Sequence, residues 1–230
     1  MTDTTTSDQR AAAEALEQRS EQAAAIREAG LGAYAEGEDH DHHITNTGIS
    51  NSKLAMWVFL GSECLLFGGL ISTFLLYKNN NLAGGPTPHE LYDIELTSIS
   101  SFVLLMSSLT MVLAVSAIQR GEHARLRLWL LTTAVLGSVF ISGQVYEFQV
   151  FVKEGLGFTT NSAGSAFFAL TGFHGVHVTL GIVMLLSTVL LSLAGRIPRA
   201  RAEAVEIVGL YWHFVDVVWV LIFTIVYLIP

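Results

Sequence analysis

The sequence predicts an all-α integral membrane protein, a bundle of five transmembrane helices with a soluble acidic N-terminal tail. Of the 230 residues, 51% are hydrophobic and only 14% are charged, and the mean hydropathy is +0.50. A soluble domain usually carries about 25% charged residues. The apolar residues form five long runs. Helices satisfy their own backbone hydrogen bonds in lipid, so a helical bundle is the expected fold.

The tail comprises residues 1–50. It holds ten acidic residues against three arginines, a local net charge of −7 within a chain total of −8. Ala, Glu and Gln dominate positions 10–29 and favour helix. Large aliphatic side chains are too few there to form a core, so we expect a helical or partly disordered segment. The acidic balance argues against a nucleic-acid partner, and the tract EGEDHDHHIT is assigned no specific metal site.

The five apolar runs make up the predicted transmembrane domain, residues 51–230. Each meets the requirement of about 20 residues for a helix that crosses roughly 30 Å of hydrocarbon. The fourth run is the longest, so we expect it to tilt or to project beyond the bilayer. The turn QRGEHAR joins the second and third runs, and a longer loop rich in turn residues joins the first two. The runs lie at about 54–77, 96–118, 126–150, 164–194 and 206–229.

Lysines and arginines in the short loops predict the orientation. Seven of them lie on the side of the tail, before the first run and after the second and fourth. Only Lys78 and Lys153 lie on the other side. The positive-inside rule therefore predicts a multi-pass protein whose N-terminus is cytoplasmic and whose C-terminus is on the outer side.

Polar residues interrupt the apolar runs at a few depths. A helix rises 1.5 Å per residue, so position along a run gives depth in the bilayer. Five polar side chains come out near the midplane, and three lie closer to a surface. The set comprises Glu63, His174, His177, His213 and Asp216 near the midplane, Gln144 and Glu147 near the outer end of the third run, and Glu206 at the inner start of the fifth.

Three interpretations of the midplane residues remain open. His174 and His177 share a helix face because they are three residues apart, and so do His213 and Asp216. A hydrogen-bonded network between helices is favoured on spacing alone. The alternatives are a proton path, which intramembrane His, Asp and Glu often form, and a metal or haem site.

Three further groups receive structural interpretations. Glycines of the first and fourth runs suit close helix packing. Serines of the second run are expected to bond back to their own helix. Aromatic residues near the run ends are expected mostly to be interfacial anchors. These aromatic residues are Trp57, Trp129, Tyr211, Trp212 and Tyr227.

Two stretches closely resemble the hallmark segments of subunit III of haem-copper terminal oxidases. They are TGFHGVHVTLG at residues 171–181 and YWHFVDVVW at residues 211–219. The stretch GSECLLFGG resembles the family's segment with a membrane-embedded glutamate, here Glu63. The resemblance covers about residues 50–230 and is specific, because two motifs of this length occur together.

Other positions also match the family. The stretch GQVYEF resembles a later family segment, with Gln144 and Glu147 at matching places, and Glu206 fits as well. The longer members have seven helices, two of which form a lipid-holding cleft against the rest. This chain has five predicted helices, as the short bacterial forms do.

The resemblance implies an accessory subunit of cytochrome c oxidase, a proton-translocating oxidoreductase of aerobic respiration. No catalytic residue, metal site or redox centre is expected on this chain, and haem and copper are expected in partner subunits. The implied roles are to pack on subunit I, to hold phospholipid, and to support sustained proton uptake and oxygen access. Subunit II, further subunits of the respiratory complex and membrane lipids are the other implied partners, in a bacterial plasma membrane.

The resemblance also assigns roles to the intramembrane residues. Glu63 is the implied contact with proton supply or with cleft lipid. A structural polar network is implied for His174, His177, His213, Asp216, Gln144, Glu147 and Glu206.

The electron donor is open to two interpretations. Cytochrome c is favoured because Ser62 precedes Glu63, whereas the short quinol oxidase forms tend to have Asp there. Subunit III of a quinol oxidase is the alternative. An independent transporter is disfavoured because the five runs contain no inverted repeat.

Overall fold

The computed structural model describes residues 50–78, 94–196 and 202–229, together with Gln18 and Glu21. The predicted tail and most of the first loop lie outside these residues. Helix is the regular structure of the described ranges, so the predicted all-α fold class is confirmed. The chain divides into two units, Met1–Asn51 and Ser52–Pro230.

Five helices of the described ranges are long and apolar enough to cross a membrane. The longest is the fourth, with 32 residues, or about 48 Å at the usual helical rise. The helices are α1 Asn51–Tyr77, α2 Ile94–Gln119, α3 His123–Lys153, α4 Ser162–Leu193 and α5 Ala202–Phe223, and a π-helical turn, Thr224–Leu228, continues α5.

Local residue chemistry sets the ends of the helices around the two short loops. Gly121 and Gly155 have φ values of 77° and 89°, in the left-handed region that favours glycine. They allow the chain to turn directly after α2 and α3. The side chain of Asn161 then accepts a hydrogen bond of 2.6 Å from the backbone N–H of Gly164 and caps the start of α4.

Helices α2 to α5 form the tightly packed part of the bundle. α2 packs against α3 and α5, and α4 packs against the same two helices. α1 lies farther from the other helices, because its backbone comes close to theirs at far fewer positions. Its buried side chains are Leu60, Phe67 and Phe74, which recur every seven residues and form one stripe. α1 therefore joins the bundle through long side chains.

Side chains at both ends of α1 reach α5 and its continuation. Lys53 Nζ lies 2.7 Å from Glu206 Oε2 at the start of α5. Lys78 Nζ donates a 2.8 Å hydrogen bond to the carbonyl of Ile229. The two helices therefore run parallel. We call the two ends of the bundle the Glu206 end and the Glu147 end, after the carboxylates that lie there.

Three of the predicted interfacial aromatic residues are core residues instead. Tyr211, Trp212 and Tyr227 are 3%, 1% and 5% exposed, so the prediction was wrong for them. Trp212 lies between two glycines whose missing side chains make room for its ring. A Cβ atom at Gly137 would lie 2.5 Å from the indole, and one at Gly181 would lie 2.9 Å from it.

The glycines of α1 differ from this pattern. A Cβ atom at Gly61, Gly68 or Gly69 would meet no described atom within 4 Å. These glycines therefore do not serve close helix packing within the described chain, contrary to the expectation from sequence. Gly175 of α4 does, because a Cβ atom there would lie 3.1 Å from Gln144 of α3.

Candidate functional site

The polar residues inside the bundle form separate groups at different helix interfaces. Glu63 and His177 meet between α1 and α4. His213 and Asp216 both contact α2. Glu147 lies near the opposite end from Glu206. The residues that the sequence placed at one depth therefore do not converge on one point.

Glu63 and His177 form a partly buried pair. His177 Nε2 lies 3.0 Å from Glu63 Oε2, and the two side chains are 11% and 14% exposed. The other ring nitrogen, Nδ1, lies 2.8 Å from the carbonyl oxygen of Phe173. A carbonyl oxygen only accepts, so Nδ1 carries a proton and donates it.

This constraint leaves two protonation arrangements for the pair. A neutral imidazole accepts a hydrogen bond from a protonated Glu63, or an imidazolium donates to the Glu63 carboxylate. Both arrangements leave the pair as a whole uncharged, and they differ only in which residue holds one proton. Exchange between the two arrangements would shift one proton along this hydrogen bond and leave the net charge of the pair unchanged.

Ser108 of α2 links His213 and Asp216 of α5. Its Oγ donates a 2.6 Å hydrogen bond to Asp216 Oδ2 and lies 3.0 Å from His213 Nδ1. Since the hydroxyl has one proton, it accepts from His213. The order is therefore His–Ser–Asp, whereas in a hydrolytic triad the histidine lies between the other two and takes the proton of the serine. The group joins two helices and does not activate a nucleophile.

Ser108 is the residue that the sequence interpretation missed. The serines of the second run were expected to bond back to their own helix, and Ser101 and Ser107 do so. Each of these two also accepts an indole N–H from α5, from Trp219 at 2.9 Å and from Trp212 at 3.0 Å. The spacing of these side chains was the signal available in the sequence. Trp212 and Trp219 are seven residues apart on α5, and Ser101 and Ser107 are six apart on α2, which runs antiparallel to α5.

Glu147 and Glu206 lie at opposite ends of the bundle. Glu147 accepts hydrogen bonds of 3.1 Å from the hydroxyls of Thr97 and Tyr227. Glu206 pairs with Lys53 and accepts a 3.1 Å hydrogen bond from Gln119. Both carboxylates therefore join helices that are distant in sequence.

His174 differs from the other histidines because the structure does not place it in a polar network. It is fully buried, and neither ring nitrogen has a hydrogen-bond partner among the described residues. Its ring stacks on Trp219 with a centroid distance of 4.9 Å and meets the edge of Phe140 at 5.9 Å. The contacts that the structure gives the His174 ring are therefore with aromatic side chains.

His174→Phe is therefore expected to change the free energy of unfolding by no more than about 1 kcal/mol, because an apolar ring of similar shape replaces unsatisfied polar atoms. Titration with a denaturing detergent in mixed micelles measures this quantity. His177→Phe is the control and should be clearly less stable, since it breaks the bond to Glu63. A large loss of stability in His174→Phe would show that a nitrogen of His174 has an essential partner.

The described residues contain no group of three His, Cys, Asp or Glu side chains that could hold a metal ion together. Protein metal sites usually need at least three such ligands. His177 also engages both of its ring nitrogens in hydrogen bonds. In this part of the chain the histidines and carboxylates are therefore not grouped as a site with three side-chain ligands would require.

Five long apolar helices with polar side chains joined across their interfaces define a helical multi-pass membrane protein. A family model described as cytochrome c oxidase subunit III matches residues 32–229. Cytochrome c oxidase subunit 3 of Bacillus subtilis is 42% identical over 180 residues, 77% of this chain and 86% of that protein. Quinol oxidase subunit 3 of the same organism is 42% identical over 176 residues, 76% of this chain and 85% of that protein.

A third relative comes from another organism. The probable quinol oxidase subunit 3 of Staphylococcus saprophyticus is 39% identical over 178 residues, 77% of this chain and 89% of that protein. The chain belongs to the cytochrome c oxidase subunit III family. It is subunit III of a haem-copper oxidase, and it assembles with other subunits of that oxidoreductase complex.

Proposed function

We propose that this chain is a non-catalytic subunit III that packs on subunit I of a proton-pumping oxidase of aerobic respiration. Haem and copper belong to the partner subunits, and subunit II and further respiratory subunits complete the complex. The observation that carries the proposal is that the intramembrane carboxylates and most of the histidines bond pairwise to other helices. These bonds join the helices of the bundle, and among the described residues no three such side chains are grouped as metal ligands.

The proposed orientation places the Glu206 end in the cytoplasm of a bacterium and the Glu147 end on the outer side of its plasma membrane. The support for this orientation is the excess of Lys and Arg in the loops at the Glu206 end. α1 then exposes an apolar stripe of Val58, Leu65 and Leu76 within the bilayer, and these residues are 68%, 79% and 77% exposed. We propose that phospholipid covers part of this stripe.

Glu63 is the proposed functional contact of the chain. The support is its hydrogen bond to His177, along which one proton would change position without a change in net charge. We propose that this exchange, or a contact of Glu63 with bound lipid, supports proton uptake over many turnovers. Oxygen access through the apolar faces of the bundle is the second supporting role.

The proposed electron donor is cytochrome c, and the alternative is quinol. The support for cytochrome c is Ser62 beside Glu63, as described above. The quinol oxidase and cytochrome c oxidase subunits of Bacillus subtilis are equally similar to the chain, at 42% identity. Quinol therefore stays the alternative donor. The donor binds other subunits, so rates of oxidation of reduced cytochrome c and of quinol by the intact complex decide between the two.

A reduced-minus-oxidised visible spectrum tests the proposal as a whole. We expect haem bands in the complex that co-purifies with this chain in mild detergent, and none in the chain after it has been separated from the complex. Haem retained by the separated chain would contradict the assignment of the cofactors to partner subunits. Absence of haem from the complex would contradict the oxidase function.

Glu63→Ala is expected to leave the complex assembled and its initial rate near that of the natural protein, but to shorten its working life. The alanine variant loses both the hydrogen bond to His177 and the exchangeable proton. Total oxygen consumed before inactivation measures the effect, and a loss of about tenfold corresponds to a change of about 1.4 kcal/mol in the barrier to inactivation.

Glu63→Gln is the matched variant, because its amide can donate to His177 but cannot exchange a proton with it. If proton exchange is the role, Glu63→Gln inactivates as fast as Glu63→Ala. If the hydrogen bond alone matters, Glu63→Gln lasts as long as the natural protein. An unchanged working life in both variants would remove Glu63 from the mechanism.

A further inference from the structure

A groove of about 310 Å³ runs along the surface between α3 and α4. Its floor includes Gly172 and Gly175, and Gln144 lies within it. It is open to the surroundings of the bundle, since Val176 and Leu180 on its rim are 57% and 52% exposed. The other lining side chains are mainly apolar.

Gln144 brings an unused hydrogen-bond acceptor into this groove. Its Nε2 donates a 3.0 Å hydrogen bond to the carbonyl of Thr171, and this contact fixes the orientation of the amide because a carbonyl cannot donate. The amide oxygen, Oε1, is buried and has no donor among the described residues. Gln144 is 7% exposed.

Gly175 places no side chain between the amide oxygen and the groove. A Cβ atom at this position would lie 3.1 Å from Gln144 Oε1 and would cover it. Gly172 lies one turn earlier on α4, and a Cβ atom there would meet nothing within 4 Å. The described chain therefore does not use the space above Gly172 for its own packing.

The depth of Gln144 limits what can donate to it. Gln144 is nine residues from Lys153, where α3 ends, or about 13 Å along the helix. α3 has 31 residues, so Gln144 lies about 9 Å from its middle. This position is within the hydrocarbon core, whose half-thickness is about 15 Å. Phospholipid acyl chains carry no hydrogen-bond donor at this depth.

Small residues and a polar acceptor together are the features by which transmembrane helices associate. Glycines allow two helix backbones to approach closely, and polar side chains form hydrogen bonds across the interface. The groove supplies both features on one face, and a neighbouring helix that brings a donor side chain supplies what Gln144 lacks.

We infer that a transmembrane helix of another subunit of the oxidase packs into the groove between α3 and α4 and donates a hydrogen bond to Gln144 Oε1. The donor is a hydroxyl, an amide or an indole N–H of that helix. The inference rests on the proposed function, because it takes its partner from the same complex.

Site-specific cross-linking in the intact complex tests the inference. A photo-cross-linkable amino acid replaces Val176 on the rim of the groove, and the complex is irradiated in its membrane before purification. We expect one main adduct, with another oxidase subunit, in a transmembrane segment that carries a donor side chain. An adduct with phospholipid alone, or none while the oxidase subunits co-purify, would overturn the inference and leave the proposed function standing.

Gly172→Leu adds a large side chain to the groove at a position whose Cβ atom would meet nothing within 4 Å in the described chain. It should lower the yield of this adduct about tenfold. Gly69→Leu is the control, because it also adds a side chain in open space but lies on α1, and it should leave the adduct unchanged. Gly172→Ala adds only a methyl group, so it tests the same position if the leucine variant does not fold. An adduct yield that stays constant in both Gly172 variants would contradict docking in the groove, and failure of any oxidase subunit to co-purify would contradict both proposals.

Discussion

Gly137→Ala is expected to destabilise the bundle by about 1–3 kcal/mol, although it adds a single methyl group. The new Cβ atom would lie 2.5 Å from the ring of Trp212 and 3.3 Å from Ile182. Trp212 cannot move aside easily, because Gly181 limits it on another side and its N–H is bonded to Ser107. Alanine favours helix over glycine by up to about 1 kcal/mol, which offsets only part of this cost.

The midpoint temperature for unfolding of the chain in the solubilised complex measures the effect. For a chain of this size a loss of 1–3 kcal/mol lowers the midpoint by roughly 2–12 °C. Gly69→Ala is the matched control, because its methyl group enters open space and should lower the midpoint little. The double variant Gly137→Ala with Trp212→Phe should recover part of the loss. A Gly137→Ala protein as stable as the control would show that Trp212 is loosely held.

Trp219→Ala is expected to have a larger effect, about 3–5 kcal/mol, because it removes a fully enclosed indole. Trp219 is 1% exposed, stacks on His174 and meets Phe140 at a centroid distance of 4.7 Å. Its N–H also bonds to Ser101. The substitution therefore opens a cavity beside His174 and removes one of the hydrogen bonds that join α5 to α2.

Unfolding in mixed micelles, followed by loss of the circular dichroism of the helices, measures this change. Trp57→Ala is the matched control, since Trp57 is 56% exposed on α1 and should contribute little to the stability of the chain. Trp219→Phe should give an intermediate value, because the ring remains while the hydrogen bond is lost. Equal losses from the Trp57 and Trp219 variants would contradict the enclosed position of Trp219.

Hydropathy was sufficient to predict the helices, because each membrane crossing demands a long apolar run. The ends were less predictable. The third run was placed at about 126–150, whereas α3 extends from His123 to Lys153. Polar residues at a helix end continue the backbone hydrogen bonds after the apolar pattern has stopped, so composition underestimates the length.

The pairing of the intramembrane polar residues was not predictable from their spacing. Residues three apart differ by about 60° around a helix, so they share a face only broadly. That angle is enough for His177 to reach Glu63 while His174 faces Trp219. The same limit applies to His213 and Asp216, which meet through Ser108 on another helix. The rotation of each helix about its own axis decides such contacts. The sequence of an apolar run specifies that rotation only weakly.

The side-chain attachment of α1 has a consequence for biogenesis. α1 is the first of the described helices to leave the ribosome, but its polar partners come much later in the chain. His177 follows Glu63 by 114 residues, and Glu206 follows Lys53 by 153 residues. At usual rates of translation the first delay is on the order of ten seconds. During that interval the newly inserted helix holds an unpaired carboxyl group in lipid, which is costly. A temporary partner, in the insertion machinery or in a subunit already present, would lower this cost until the fourth helix arrives.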